Sequence, residues 1–590
     1  MAVLLGLHVS RQKIWGFSQT HLNGTGCSDL GDVQLQPFTG AIEREDYHSA
    51  YDKATQKAKP GYYAVTLTDF GVDVELTASP RVAFHRYTYK NPNPARLLVD
   101  LQYGIVGGKD ALKHHILASD VNLEDKTTIT GHNHARASAQ AAWNGLLSRA
   151  EVEGTQDQKE NFYTSMYHLF IQPNNIADVD GQYRGADDKV LTAPGKAYYS
   201  TLSLWDTFRA AHPLYTILLP ERVDDFCNTI VAHQKAQGYM PIWTLWGKEN
   251  HCMIANHSIP VVVDAYLKGF RGFDAEAAFA GIKTSLTVKH QKSDWDIYNK
   301  YGYLPFDLIK GESVSRVLEY CYDDYCAAQF ATALGKTDDA AYFAKRAANY
   351  KNVFDPETKF LRGRDTKGNW RTPFNPLALG HNEDTANDYT EGNAWQYTWH
   401  VMQDADGLIQ LMGGKDAFVK KLAALYKLPS KVEGSGFVLD VSGLIGQYAH
   451  GNEPSHHVAY FFALAGCPWR TQELVREICE TEYKNFPDGL CGNDDCGQMS
   501  AWYIFSALGF YPFNPCNDGY VFGAPQIPKV TLNLPRGKTF TVEAKNLSKE
   551  NKYVQSITLN GQPYDKLKIA HTDIMNGGAL AFQMGPQPRR

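Results

Sequence analysis

The apolar residues of this chain change their spacing twice, and that change constrains the fold more than any single motif. From about residue 143 they recur at i, i+3, i+4 and i+7, through AAWNGLLSRAEVE, ENFYTSMYHLF, YYSTLSLWDTFRAAHPLYTIL, RVDDFCNTIVAHQKAQ, IPVVVDAYLKGF and further segments to CGQMSAWYIFSALGF. This period predicts a run of about a dozen helices without strands between them. Such a run could stack as a solenoid or close into six hairpins, and the absence of a short recurring signature favours closure. Before it, GYYAVTLTDFGVDVELTASPRVAFHRYTYKN (61–91) and ARLLVDLQYG (95–104) alternate in strand fashion, broken at Asp69-Phe70-Gly71, Ser79-Pro80 and Asn91 to Pro94. Short strands at this spacing suggest a β-sandwich. After Tyr511-Pro512 the alternation returns in KVTLNL, KTFTVEA, VQSITLNGQ and ALAFQMG, with Asn560-Gly561 as a hairpin turn.

Composition narrows the function. A net charge of −6 and a pI near 6.4 argue against a nucleic-acid partner, which needs a basic face to neutralise phosphates. No run approaches the roughly 20 apolar residues of a membrane span. The opening MAVLLGLHVSRQKIWGF lacks a basic n-region and a small-residue cleavage site, so it reads as part of the folded body or as a chain whose true beginning is absent. Cys321/Cys326 and Cys491/Cys496 lack zinc-site spacing. Aromatics make up 12% of the chain, a weak pointer towards sugars, whose apolar faces stack on rings.

Four segments concentrate groups able to do chemistry. LSLWDTFRAAHP (202–213) sets Trp205, Asp206 and Arg209 within one helical turn: a stacking face, a hydroxyl acceptor and a donor, although an Asp at a helix start is often only a cap. DYTEGNAWQYTW (388–399) places Glu391 before a helix carrying Trp395, Gln396 and Trp399; desolvation there would raise the carboxyl pKa and keep it a proton donor. GQYAHGNEPSHHVAY (446–460) crowds His450, Asn452, Glu453, His456 and His457 into a loop that could hold Ca²⁺ through oxygen or Zn²⁺ through nitrogen. PDGLCGNDDCGQMSAWY (487–503) reads blandly as an Asp495/Gln498 capping box, but Asn493, Asp494 and Asp495 on a tight loop could also activate a water. Glycoside hydrolysis requires one protonated and one ionised carboxyl across the scissile bond, and Glu391 and Asp495 could supply them if the loops at one end of the helices converge.

Taken together, GFSQTHLNGTGCSDLGDV (16–33), YSTLSLWDTFRAAHPL (199–214), YTEGNAWQYTW (389–399), GLIGQYAHGNEPSHH (443–457) and GLCGNDDCGQMSAWYIFSALGFYP (489–512) resemble glycoside hydrolase family 92, the calcium-dependent α-mannosidases. The resemblance implies a multidomain β + α fold: a β-sandwich domain (1–135), a linker (136–142), an (α/α)6 barrel on which the sandwich packs (143–511) and a C-terminal β-strand region (512–590). It implies exo-acting, inverting release of terminal α-linked mannose from mannan or N-glycan oligosaccharides. The linkage is left open by the motifs, with an α-1,2-mannosidase as the nearest type. Carried over by position, Glu391 is the general acid and Asp495 the general base, with Asp494 or Asn493 positioning the water. Trp205, Asp206, Arg209, Gln396, His456 and Asn493 line the sugar site, and Glu453 with neighbouring Asn452 belongs to the Ca²⁺ site. The family usually carries more residues before GFSQTHL and between strands and helices near 127–147, so a shortened sandwich is expected. An exported or periplasmic monomer or small homo-oligomer fits the substrate class. The competing readings are a mannan-binding protein with a degenerate pocket and an (α/α)6 glycosidase for another sugar.

Overall fold

A computed structural model describes residues 13–18, 34–41, 47–59, 62–78, 83–91, 93–100, 142–193, 195, 197–380, 387–434, 440–517 and 519–589. Most of the 16–33 motif and of the 127–147 segment therefore lies outside the described residues. The chain divides into two compact units, Met1–Ser148 and Arg149–Arg590.

Among the described residues up to Asp100, the first unit is built of strands, in the order that the alternation predicts. Ser49–Lys59, Tyr62–Leu67, Val72–Ala78 and Ala83–Tyr89 form consecutive antiparallel pairs, with Lys13–Ile14 at the edge of Ser49–Lys59. Gln34–Thr39 pairs with Phe17–Ser18 on one side and Ala95–Asp100 on the other. One core joins the two sheets: Phe17 and Phe38 from the second pack with Tyr63, Val65, Val72, Val74 and Leu76 from the first.

The second unit is dominated by helices of two kinds. Ala211–Leu218 (α2), Ser258–Leu267 (α4), Ser313–Ala333 (α6) and Gln498–Leu508 (α10) are buried on nearly every side. Gln156–Ile171 (α1), Pro220–Gln237 (α3), Ala275–Thr287 (α5), Thr337–Ala347 (α7), Lys415–Leu425 (α8) and Pro468–Thr481 (α9) bury one face only, as the 3.6 period requires. The buried helices pack in succession, α2 on α4 and α4 on α6, and α10 packs back on both α2 and α1.

Several segments that read as single helices are broken, each for a visible reason. In AAWNGLLSRAEVE only residues 142–147 are helical; Ala150–Glu153 is a strand whose alternate residues are buried and which pairs with Lys529–Asn533. The LSLWDTFRAAHPL segment splits into Leu204–Thr207 and α2 because the Gln498 side chain inserts between them, its Oε1 accepting the Ala210 and Ala211 N–H groups at 3.0 and 3.1 Å. HHVAYFFALAG forms short turns before Phe461–Leu464, where Thr471 Oγ accepts the Ala463 N–H and donates to the Ala459 carbonyl. The C-terminal strands form a six-stranded sheet in the order Gln562–Pro563, Tyr553–Leu559, Gly578–Gly585, Thr539–Lys545, Lys529–Asn533, Ala150–Glu153. Its Asn560-Gly561 turn has both residues at positive φ, as a two-residue hairpin loop demands.

Candidate functional site

The four segments singled out in the sequence come together because each lies at or just before the start of a buried helical piece. Asp206 lies in the first turn of Leu204–Thr207, Glu391 two residues before the cap of Ala394–Tyr397, Glu453 at the head of the turn Glu453–Ser455, and Asp495 three residues before α10. Asp206, Glu453 and Asp495 are buried and offer carboxylate oxygens all within 4.8 Å of one another. Glu391 and Asp440 act on the same group electrostatically.

The backbone that presents these carboxyls is strained. Glu391 and Asp495 hold φ at 45° and 48°, followed at Cys496 by 56°, a region that non-glycine residues enter at a cost of about 1–3 kcal/mol each. Surrounding bonds enforce it. Asp388 accepts from Ser313 Oγ at 2.7 Å and receives Arg371 through two bonds of 2.7 and 2.8 Å, while the Ser315 hydroxyl accepts the Thr390 N–H at 3.0 Å. Asn452 donates from one amide nitrogen to the Glu391 carbonyl at 2.9 Å and to its Oε2 at 3.4 Å.

Asp494, not Asp495, supports the start of α10. Its Oδ2 accepts the Gly497 N–H at 2.9 Å, and its Oδ1 accepts from the Ser500 hydroxyl at 2.6 Å and the Ser500 N–H at 3.2 Å. The Asp495/Gln498 capping box does not form, since the cap position is Gly497 without a side-chain bond. Gln396 instead closes a box with Asn393 and donates to the Gln447 carbonyl at 3.2 Å, so its amide braces the loop. His456 also braces: its Nε2 lies 3.0 Å from the His450 carbonyl and its Nδ1 3.1 Å from Gln498 Nε2. Burial lowers its pKa to about 3, so the ring is neutral, donating through Nε2 and accepting through Nδ1. Asn493 donates to Asp440 Oδ1 at 2.7 Å.

Burial and mutual repulsion push Glu391, Asp206, Asp495 and Glu453 upward. Glu391 rises to about 8, first through desolvation and then through Asp440 and Asp206. Asp206 rises to about 7, mainly through desolvation, with the Ser203 hydroxyl and Arg209 opposing. Asp495 and Glu453 rise well above the usual range, through desolvation and then through the neighbouring carboxylates, although Arg209 eases Glu453. Neither Glu453 oxygen meets a donor on another described residue. A buried carboxylate left so is costly, and three converging carboxylates, of which Glu453 has both oxygens unmet, match the hard oxygen donors that Ca²⁺ takes.

Beneath Trp205 lies a charged hub that the motifs did not reveal. Glu319, on α6, is fully buried; it accepts the Trp205 indole N–H at 3.2 Å and a close bond from His257 Nε2, and lies 3.9 Å from Arg209 Nη2. His257 Nδ1 sits 2.9 Å from Asp323. Arg209 donates from Nε to the Trp205 carbonyl at 3.1 Å and lies against the Trp205 and Phe208 rings, while neither Nη atom has a hydrogen-bond partner among the described residues. Nothing in the sequence set Glu319 apart, because Arg316, Asp323 and Asp324 are further charged residues on the same stretch, VSRVLEYCYDD. Nothing in the sequence around Asp440 marked it.

A helical unit bearing a buried group of carboxyls at the heads of its inner helices, beside a Trp/Arg pair, is the make-up of a glycosidase. Family comparisons agree. The model of the glycosyl hydrolase family 92 catalytic domain matches residues 119–586 and that of the family's N-terminal domain residues 4–155. The chain belongs to glycosyl hydrolase family 92. It is similar to the family GH92 α-mannosidase BT3965 from Bacteroides thetaiotaomicron, solved in complex with mannoimidazole, with a TM-score of 0.90 and 35% identity over 98% of this chain and 88% of the other. It is also similar to the inverting mannosidase BT2199 of the same organism, with a TM-score of 0.84 and 28% identity over 98% and 90% of the two chains. An uncharacterized secreted glycosidase from Arthroderma benhamiae is 27% identical, the match covering 99% of this chain and 87% of that protein. The fold is thus that of the family, an N-terminal β domain with a helical catalytic domain. No helix among the described residues is long and apolar enough to cross a membrane.

Proposed function

We propose that this glycosyl hydrolase is a secreted or periplasmic, exo-acting, inverting, Ca²⁺-dependent α-mannosidase that removes terminal mannose from mannan or N-glycan oligosaccharides, α-1,2 linkages foremost. The observation that carries the reading is Glu391: a carboxyl pushed up to about 8, hydrogen-bonded by Asn452 and coupled to Asp495. At neutral pH Glu391 is protonated and can deliver that proton to the departing glycosidic oxygen as the bond to the anomeric carbon breaks. In its ionised form, which burial and the neighbouring carboxylates oppose and a bound cation would favour, Asp495 takes a proton from the water that attacks the opposite face, so the product is the β-anomer. The Asn493–Asp440 bond and the Asp494 cap hold the loop that aims Asp495. Trp205 and the open Nη face of Arg209 bind the sugar ring and its hydroxyls.

Asp206 and Glu453, with Asp495 adjoining, are the residues that would hold Ca²⁺; Asn452, named for that site from sequence, gives its amide N–H to Glu391 and leaves only its oxygen for a metal. When bound, the cation supplies the charge that lets these carboxylates ionise together and a Lewis-acidic contact for vicinal sugar hydroxyls. The packing of α10 on α1 and α2 supports a closed (α/α)6 barrel, and the shared core of the two N-terminal sheets supports a β-sandwich. The deciding experiment is NMR of the first product from α-1,2-mannobiose. Initial β-mannose agrees with the proposal; initial α-mannose refutes inversion, and an inert α-mannoside panel refutes the substrate class.

A further inference from the structure

A second aromatic feature is tied by backbone bonds to the segment that carries Asp206. The hairpin Thr244–Leu245/Lys248–Glu249 is joined to the segment entering the site by reciprocal Leu202–Thr244 backbone bonds of 3.1 and 3.2 Å, four residues ahead of Asp206. Its turn is Trp246-Gly247, both at positive φ, 58° and 74°. Gly247 suits this position: its N–H donates to Ser200 Oγ at 2.8 Å, and a Cβ there would meet Ile176 Cδ1 at 2.9 Å. Trp246 does not. A bulky residue at a left-handed turn position is disfavoured against Asn, Asp or Gly, and Trp246 is 46% exposed whereas Trp243 is buried.

The hairpin is nonetheless held rigidly. Glu249 accepts the N–H groups of Ile242, Trp243 and His251 at 2.6 to 3.0 Å. Lys248 pairs with Asp188 at 2.7 Å, tying it to the Gln182–Thr192 hairpin, on which Val190 is 70% exposed. Arg184 and Lys248 both pair with Asp188, and Glu249 adds a second carboxylate on the Trp246 hairpin, so two cations are set against two anions and the surface suits a neutral ligand. A strained, rigidly mounted, solvent-facing indole has the geometry of a platform on which the C–H face of a pyranose can lie.

We propose that Trp246 stacks on a mannose unit of the substrate that lies outside the cleaved one, making the enzyme select oligosaccharides over short mannosides. The inference rests on the exo-mannosidase reading, under which one sugar fills the pocket and the rest of the glycan leaves through its mouth. Trp246→Asn is the informative variant because Asn accepts the left-handed turn and keeps the hairpin folded. With wild type, Trp246→Asn and Trp246→Phe, kcat/KM is measured on an aryl α-mannoside and on α-mannotetraose. We expect Trp246→Asn to match wild type on the aryl mannoside and to lose about fivefold to tenfold on mannotetraose through KM, with Trp246→Phe retaining most of the wild-type value. Calorimetry with mannotetraose in a Glu391→Gln background should show the same loss of affinity. If wild type cleaves no α-mannoside, the functional reading falls; if it cleaves them and Trp246→Asn alters both substrates equally or neither, this inference falls. A change of oligomeric state in Trp246→Asn on size exclusion would instead assign the indole to a contact between copies and overturn it.

Discussion

Replacing Glu319 by Gln removes one charge from the hub under Trp205 while keeping its shape, and its effect can be worked out from the bonds. In the wild type, burial opposes a charged His257, but Asp323 and Glu319 overcome it and raise its pKa from 6.5 to about 9. At roughly 1.4 kcal/mol per pH unit, the folded state favours the charged ring by about 3 kcal/mol. In Glu319→Gln the side-chain amide would face His257 Nε2 with either its oxygen or its NH2 group. A neutral ring keeping its proton on Nδ1 for Asp323 accepts from that NH2, so the variant has a satisfied arrangement with His257 uncharged. Because the folded pKa exceeds the unfolded one, the wild-type contribution is fully present below about pH 6.5 and is lost as pH rises through about 9. Glu319→Gln should therefore be less stable by up to about 3 kcal/mol at pH 6, with the gap closing towards pH 9; Asp323 keeps the change below the full figure. Urea unfolding at pH 6, 7.5 and 9, with a histidine-labelled NMR titration, measures both effects. A stability gap independent of pH, or a His257 that still titrates near 9 in the variant, would refute the reasoning.

Other outcomes follow from the site itself. Chelation with EDTA should abolish mannose release and Ca²⁺ restore it, and Ca²⁺ should raise the Tm of wild type but not of Glu453→Gln, which thermal unfolding tests directly. Glu391→Gln should lose about 100-fold or more on α-mannobiose yet far less on an activated aryl mannoside, whose leaving group needs little protonation; equal losses would remove Glu391 from the acid role. The kcat/KM profile should fall on its alkaline side as Glu391 deprotonates, near pH 8 and lower once a cation occupies the cluster, and that limb should vanish in Glu391→Gln on the aryl substrate. Ser500→Ala should slow turnover while leaving Ca²⁺ affinity little changed, because Asp494 loses its 2.6 Å donor and the Asp495 loop loosens.

The periodicities were a faithful guide wherever one neighbour determined the local structure. The N-terminal strands, the Asn560-Gly561 hairpin and the one-faced helices α3, α5, α7 and α9 all follow from local pattern. Where a distant side chain intervened, local pattern failed. Gln498 divides the Trp205 segment from 288 residues away, and the Ala150–Glu153 strand exists because Lys529–Asn533 offers it an edge. The same division holds at the site. Asp206, Glu391, Glu453 and Asp495 stood out as polar residues in unusual company, whereas the supporting work of Asp494, Gln396 and His456 depends on partners that only the folded chain supplies. Asp440 and the Glu319–His257–Asp323 hub lie in segments with nothing to distinguish them.

The strand Ala150–Glu153 also has a consequence for the order in which the molecule can be completed. It is made early in synthesis, yet its partner Lys529–Asn533 emerges nearly 380 residues later, and that partner is in turn backed by Thr539–Lys545 and Gly578–Gly585. Helix α1 waits as well, because α10 covers it. Until its last strands are in place the helical unit keeps an open seam, so its assembly is governed by chain closure and not by sequential stacking.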